Sequence, residues 1–356
     1  MNFTDGMLAA HEAILQFDTD AYLLGLGVSY PGGADGTTKG LGEKYPTRVL
    51  DVPVSELAVT GMAVGMAASG LRPIIHHGRV EFALLAADQI ITQASKWNVM
   101  FGNNYPCPLV SRICVGRQWG NGPQHTSGLH SMFLQTTNLD IYIPATPEGA
   151  YLALMEASGS NDPSVILEHR WLYKTKEEFL PISKEELSRS SFDRNGVVYG
   201  LGNDFTILTY ADGLLESLNA IIKISDAGIN GEVICLERFR PDRSIPEGLL
   251  KIINEAKQLI LFETSPFEFG VLSGLISRLP KNNANLKVLA PQFKSCGTST
   301  LQTKNYYPNY FDIVGSINEI FDLKIKCEVP DFNYLNNAPA FDYSDEKILA
   351  LNKRRI

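Results

Sequence analysis

Apolar residues along the chain alternate between helix-spaced sets and short continuous runs. Met7, Leu8, Ala10, Ile14 and Leu15 stand near helical spacing behind Thr4, a residue able to cap a helix, and an apolar strand over 21–28 follows. The rhythm repeats: a buried strand over 49–54, a helix over 56–69 capped by Ser55 and closed by Gly70, then a strand over 71–77. A long helical pattern over 81–101 precedes a strand over 108–115 and a glycine-rich stretch, 116–128, with little periodicity. A strand over 141–144, a helix over 147–158 and a strand over 164–168 complete a run that predicts a mostly parallel α/β sheet.

From about residue 171 to 200 charged and polar residues, Lys174, Lys176, Glu177, Glu178, Lys184, Glu185 and Glu186 among them, fit a solvated connecting arm. Alternation then resumes, with strands predicted over 205–210, 232–236, 259–262 and 286–290 and helices over 213–225, 246–256, 267–279 and 316–321. After Lys326 the chain turns polar and aromatic, which suggests an extended tail laid on a neighbour. The expected fold is α/β, two three-layer α/β/α domains over 1–172 and 201–325, joined by an arm over 173–200 and followed by a tail over 326–356.

The length of 356 residues suits two domains, and a hydrophobic share of 44% with 20% charged residues is that of a globular chain. The net charge of −8 repels nucleic acid, and no apolar run approaches the ~18 residues of a membrane span. The amino terminus lacks a basic segment followed by an apolar core, so the chain reads as cytoplasmic. Five cysteines without a C-x-x-C pair indicate neither a disulfide framework nor a zinc site.

Parallel α/β sheets bind ligands beyond the carboxyl ends of their strands, so strand-to-helix junctions are where chemistry is expected. Glu56 occupies one, amid small and apolar neighbours where burial would raise its pKa and the helix dipole lower it. Taken alone it is also simply a good first-turn residue. The loop over 116–131 gathers glycines, amides and two imidazoles, His125 and His130, either of which could exchange protons or make structural hydrogen bonds. His76 and His77 end a strand and are equally open, whereas His11 and His169 show no local constellation. Neither G-x-x-x-x-G-K-[ST] nor G-x-G-x-x-G follows a strand, so phosphates would be held by another chain.

These pieces resemble the beta subunit of thiamine-diphosphate-dependent 2-oxo acid dehydrogenases, the pyruvate and branched-chain enzymes. The resemblance runs from about residue 4 to 325. It is carried by Val-Leu-Asp-Val-Pro-Val-Ser-Glu56, Gly70-Leu-Arg-Pro-Ile, Phe82 with Ala-Asp88-Gln89, Gln124-His125-Thr-Ser, Asn161-Asp-Pro-Ser-Val-Ile-Leu-Glu, Thr298-Ser299 and Tyr306-Tyr307-Pro308. It implies a transketolase-like pyrimidine-binding domain followed by a transketolase C-terminal-like domain. It also implies activity only with an alpha subunit, in an alpha2beta2 heterotetramer whose alpha chain holds the magnesium and the diphosphate.

The resemblance assigns Glu56 to the aminopyrimidine ring nitrogen, Phe82 to stacking on that ring, and His125 to the channel where an acyl group passes to a lipoyl-bearing acyltransferase. It further implies a structural potassium ion on backbone oxygens of Leu109, Ala157, Ser158, Ser160 and Asp162. The stretch from His76 to Glu81 is more polar than the family's usual run, which leaves the choice of 2-oxo acid and of acceptor open. Two other readings stand beside it. In the carboxyl-terminal half of a split transketolase-like enzyme acting on sugar phosphates, Gln normally follows the catalytic Glu, whereas Leu57 follows here. A non-catalytic beta-like partner would not need Glu56, Phe82 and His125 together.

Overall fold

A computed structural model describes residues 1–117, 122–181, 195–240, 245–278, 285–303, 306–330 and 340–356. The strands are β1 Ala21–Gly25, β2 Val49–Asp51, β3 Arg72–His77, β4 Val110–Val115, β5 Asp140–Tyr142, β6 Ser164–His169, β7 Gly196–Gly200, β8 Phe205–Tyr210, β9 Gly231–Leu236, β10 Arg238–Phe239, β11 Gln258–Phe262, β12 Asn285–Leu289 and β13 Asn352–Arg355. They form a seven-stranded sheet, β10-β5-β6-β4-β3-β1-β2, and a six-stranded sheet, β12-β11-β8-β9-β7-β13. Pairing is parallel apart from β10 with β5, β7 with β9 and β13 with β7.

Both sheets are covered on two faces, and the period-2 alternation of each strand divides its side chains between them. In β3, Ile74 joins the core under helices Phe3–Phe17 and Pro147–Gly159, while Ile75 packs with Val59, Ala63 and Ala67 of helix Glu56–Ala68. In β8, Phe205 and Ile207 face helices Gly213–Ser225 and Tyr310–Phe321, while Leu208 and Tyr210 face the other way. That second group belongs to an apolar cluster running from one sheet to the other, with Ile113, Phe133 and Leu167 on one side and Val198, Ile234 and Leu261 on the other. The two halves are therefore welded by a shared core.

A second link is covalent. β9 of the six-stranded sheet leads through Glu237 alone into β10, which pairs with β5 of the seven-stranded sheet. Glu237 is fixed by the N–H of Ile143, which donates to its carbonyl at 2.8 Å, and by that of Ala145, which donates to its carboxylate at 3.1 Å.

Several elements differ from expectation for local reasons. Asn2, not Thr4, caps the first helix: its side chain accepts the Asp5 N–H while Asp5 accepts the Asn2 N–H. The helical run after β3 comprises Val80–Ala83, a 3₁₀ turn Leu84–Ala86, a π-helical segment Asp88–Ala94 and Ser95–Met100. The last long helix starts at Tyr310, six residues before the periodicity suggested, because Asn309 and Asp312 form a capping box. The expected arm ends in β7. The expected tail folds back on its own chain, with Tyr343, Ile348 and Leu351 buried in the second core and β13 beside β7. The parts of the arm and tail at 182–194 and 331–339 lie outside the described residues, as do 118–121 of the glycine-rich loop.

His11 does have a constellation. Its Nδ1 lies 2.8 Å from the Met7 carbonyl and its Nε2 3.2 Å from the Arg112 guanidinium, which forms a fully buried pair with Glu168 at 2.6 and 2.8 Å. Burial, and after it Arg112, push His11 well below the usual histidine range, so the ring is neutral and Nε2 can accept. Thr37 and the Tyr173 hydroxyl complete the network, which satisfies a buried charge pair that would otherwise be costly.

Candidate functional site

Glu56, Phe82 and His125 follow β2, β3 and β4, three strands of the parallel part of the first sheet, so all three emerge at the same edge. Glu56 opens helix Glu56–Ala68 and is half-buried. One turn on, the Thr60 hydroxyl lies 3.5 Å from Nε2 of His77 at the end of β3, tying that helix to the edge. Phe82 is 41% exposed, and its ring meets His125 edge to face with centroids 5.6 Å apart. Nδ1 of His125 is buried and has no hydrogen-bond partner among the described residues.

The loop carrying His125 is wedged between the two domains. The Cβ that a side chain at Gly122 would add stands 2.7 Å from Cγ2 of Thr298, and Gly122 has a φ of +73°; one at Gly128 would stand 2.8 Å from Cβ of Ser265. Glycine is required at both because the second domain approaches so closely. Beside the loop lies a cavity of about 560 Å³ lined by Thr126, Ser127, Ser265, Cys296 and Tyr307 among others.

Both feet of this loop end on one carboxylate of the second domain. Arg117 Nε is 3.2 Å from Asp212 Oδ2 and its Nη2 is 3.0 Å from Glu216, while its guanidinium lies 4.1 Å from the Trp171 ring centroid and 5.0 Å from that of Tyr307. At the other foot, His130 Nε2 is 2.8 Å from His169 Nε2, and His169 Nδ1 is 3.0 Å from Asp212 Oδ1. Burial raises the Asp212 carboxyl, but Arg117 and His169 outweigh it and hold it below the usual range. Burial, and after it His169, push His130 down to about 3, so it is a neutral member of the set. Tyr210 packs against both imidazoles and donates to Glu263 at 2.6 Å, whose carboxyl burial pushes up to about 7.

His130 and His169 are thus structural partners in a charge network that a linear scan leaves scattered. The signal lay in the residue types, since Arg117, Asp212 and Glu216 are buried ionisable groups that need one another. His76 and His77 are buried neutral side chains, the latter lowered by burial to about 4, so they do not present charge to a ligand. Arg79 of the same stretch donates to Cys114 Sγ at 3.1 Å, and Glu81 and Phe82 turn toward the loop.

The half-buried carboxylate of Glu56, the open ring of Phe82 and the buried Nδ1 of His125 are groups that would fit the pyrimidine end of a thiamine cofactor. The potassium positions fit less well. Arg72 donates to the carbonyls of Ser158 and Ser160 at 3.0 and 2.8 Å and to the Asn161 side chain at 3.0 Å, so a guanidinium stands at the end of helix Pro147–Gly159. The Leu109 carbonyl accepts the Ser164 N–H, and that of Ala157 accepts the Ser160 N–H. Among the described residues no group of three or more His, Cys, Asp and Glu could hold a metal, and no helix is long and apolar enough to cross a membrane.

The profile of the family described as "Transketolase, pyrimidine binding domain" matches residues 1–176. The chain is 34% identical over 289 residues, 78% of its length and 84% of the relative's, to the pyruvate dehydrogenase E1 component subunit beta of Gracilaria tenuistipitata var. liui. It is 33% identical, over 66% of its length and 68% of the relative's, to the acetoin:2,6-dichlorophenolindophenol oxidoreductase subunit beta of Cupriavidus necator. It is 27% identical, over 77% and 82%, to the 2-oxoisovalerate dehydrogenase subunit beta of Bacillus subtilis. Among solved structures, a split gene transketolase described as an inactive beta4 tetramer superposes with a TM-score of 0.71 at 16% identity, covering 91% of this chain and 100% of that one, a likeness of fold.

Proposed function

Because the chain belongs to the family of 2-oxo acid dehydrogenase beta subunits, with their transketolase-type pyrimidine-binding domain, we propose that Glu56, Phe82 and His125 form its half of a thiamine diphosphate site. The observation that carries this reading is the contact of Phe82 with His125 at the sheet edge from which Glu56 also emerges.

When bound, thiamine diphosphate supplies the electron sink for loss of carbon dioxide from a 2-oxo acid. Glu56 holds a proton at its carboxyl oxygen for exchange with a ring nitrogen, a task for a general acid-base group. Phe82 offers its exposed ring face for stacking, and its edge contact keeps the His125 imidazole in one orientation. His125, whose Nδ1 has no partner among the described residues, orients the substrate and the acyl group on its way to a lipoyl-bearing acyltransferase.

An alpha subunit in an alpha2beta2 heterotetramer supplies the rest, including magnesium and the diphosphate grip, for which this sequence has no glycine-rich cradle. The surface beside Glu56 supports such a partner: helix Glu56–Ala68 is apolar nearly all round, and Val54, Leu57 and Leu85 are 74%, 58% and 61% exposed. Five free cysteines suit a reducing compartment, and we assign the chain to the cytoplasm; one relative, of Saccharomyces cerevisiae, is named as mitochondrial, so cell fractionation is the check.

The deciding experiment is a dye-linked decarboxylation assay of this chain co-purified with its alpha partner, over a panel of 2-oxo acids with and without thiamine diphosphate and magnesium. Cofactor-dependent turnover that is lost in Glu56→Ala supports the reading. A stable complex that binds the cofactor yet turns over no 2-oxo acid overturns it, and acetoin, named for the Cupriavidus relative, is then the next donor.

A further inference from the structure

The loop over 122–128 makes little regular structure of its own: the His125 N–H and the Thr126 hydroxyl both return to the Gly122 carbonyl, at 3.2 and 2.8 Å. Its tie to the sheet edge comes from a neighbouring turn. The Ser127 N–H donates to Oε1 of Glu81 at 2.8 Å, and Phe82, the next residue, carries the ring that meets His125. That turn is rigid. Val80 and Ala83 on either side of the pair are buried in the core shared by the two domains, and Arg79 ahead of them donates to Cys114 in β4.

We propose that Glu81 is a positioning residue for His125, gripping the loop by its backbone while Phe82 grips the imidazole. This rests on the role proposed above for His125. Two features favour a dedicated hold over an incidental contact. A carboxylate accepting a backbone N–H makes a stronger bond than a neutral acceptor does. The other oxygen, Oε2, is buried and has no hydrogen-bond partner among the described residues, so the group gives up solvation to stay in this place. Adjacent residues on one turn thus fix the two coordinates that matter to the imidazole, the height of its loop and the tilt of its ring.

The test compares Glu81→Ala with Glu81→Gln, whose amide oxygen can still accept the Ser127 N–H. Hydrogen exchange of the full chain, read on the peptide containing residues 122–130, should be roughly tenfold faster in Glu81→Ala and near wild type in Glu81→Gln. In the complex with the alpha subunit, transfer to the acceptor should fall roughly ten- to a hundredfold in Glu81→Ala, with KM for the 2-oxo acid within about twofold, and Glu81→Gln should recover most of the loss. If Glu81→Ala does not fold, Glu81→Met, of similar length and without an oxygen acceptor, takes its place. Wild-type exchange in the variant lacking the acceptor, or an equal loss of transfer in Glu81→Gln, overturns the proposal. A wild-type complex with no turnover counts against the reaction assigned to the chain, and the exchange rates still decide the role of Glu81.

Discussion

Arg117 and Asp212 face each other across the domain seam, Nε 3.2 Å from Oδ2, and the same carboxylate takes His169 on its other oxygen at 3.0 Å. One side chain of the second domain therefore closes the base of a loop that belongs to the first. The position of His125 depends on how the two domains seat.

Asp212→Ala should destabilise the chain by about 3–5 kcal/mol, the usual cost of leaving a buried partner unpaired, with Asp212→Asn in between. Because the folded Asp212 carboxyl lies below the ordinary value of 3.8, its contribution is in place above that pH and is lost as pH falls through the lower folded value. Urea unfolding at neutral and acid pH measures both. A variant with the wild-type midpoint would show that Glu216 alone satisfies Arg117.

Glu56→Ala should lower cofactor-dependent turnover of the assembled enzyme by about 10²–10⁴-fold, the range for loss of a general acid-base group. Assembly with the alpha chain should persist, since the exposed apolar side chains of Val54, Leu57 and Leu85 beside it remain. Steady-state kinetics beside analytical ultracentrifugation separates the two effects.

Glu263 gives a pH dependence of the opposite sign. Burial, opposed by hydrogen bonds from Tyr210 and the Leu272 N–H, pushes its carboxyl up to about 7 from an ordinary 4.5. Between those values the folded chain keeps a proton that the unfolded chain releases, so stability falls as pH rises, by about 3 kcal/mol over the window. Glu263→Gln should remove this fall and be the more stable form at pH 8, as unfolding free energies at pH 5 and pH 8 would reveal.

Arg72 supplies positive charge at the carbonyls of Ser158 and Ser160, so thermal midpoints in potassium and sodium chloride should coincide for the wild type. Arg72→Ala should lose roughly 1–3 kcal/mol and regain part of it in potassium alone. A wild-type midpoint that rises with potassium would mean that ion and guanidinium share these oxygens.

The alternation of apolar runs made both sheets legible, because buried parallel strands read as continuous Val, Ile and Leu; Glu56 and the loop of His125 stand out by their places after strands, whereas Phe82 comes only with the family resemblance. What escaped were contacts at long separation. Asp212 lies 95 positions from Arg117 and 43 from His169, and no periodicity joins them. Likewise β10 and β13 are too short and polar to register as strands, since their pairing partners, not their own side chains, make them extended. Glu81 was visible only as an oddly polar residue; its partner is a backbone N–H, which every residue but proline has.

The passage from β9 through Glu237 into β10 has a mechanical meaning. Two plates linked here through one residue, whose carbonyl and carboxylate are both hydrogen-bonded, resist swinging apart like the covers of a book. Opening the seam would strip β10 from β5 and tear the apolar cluster that both sheets share. The two sheets thus keep one relative placement, and the loop carrying His125, held from both, inherits it.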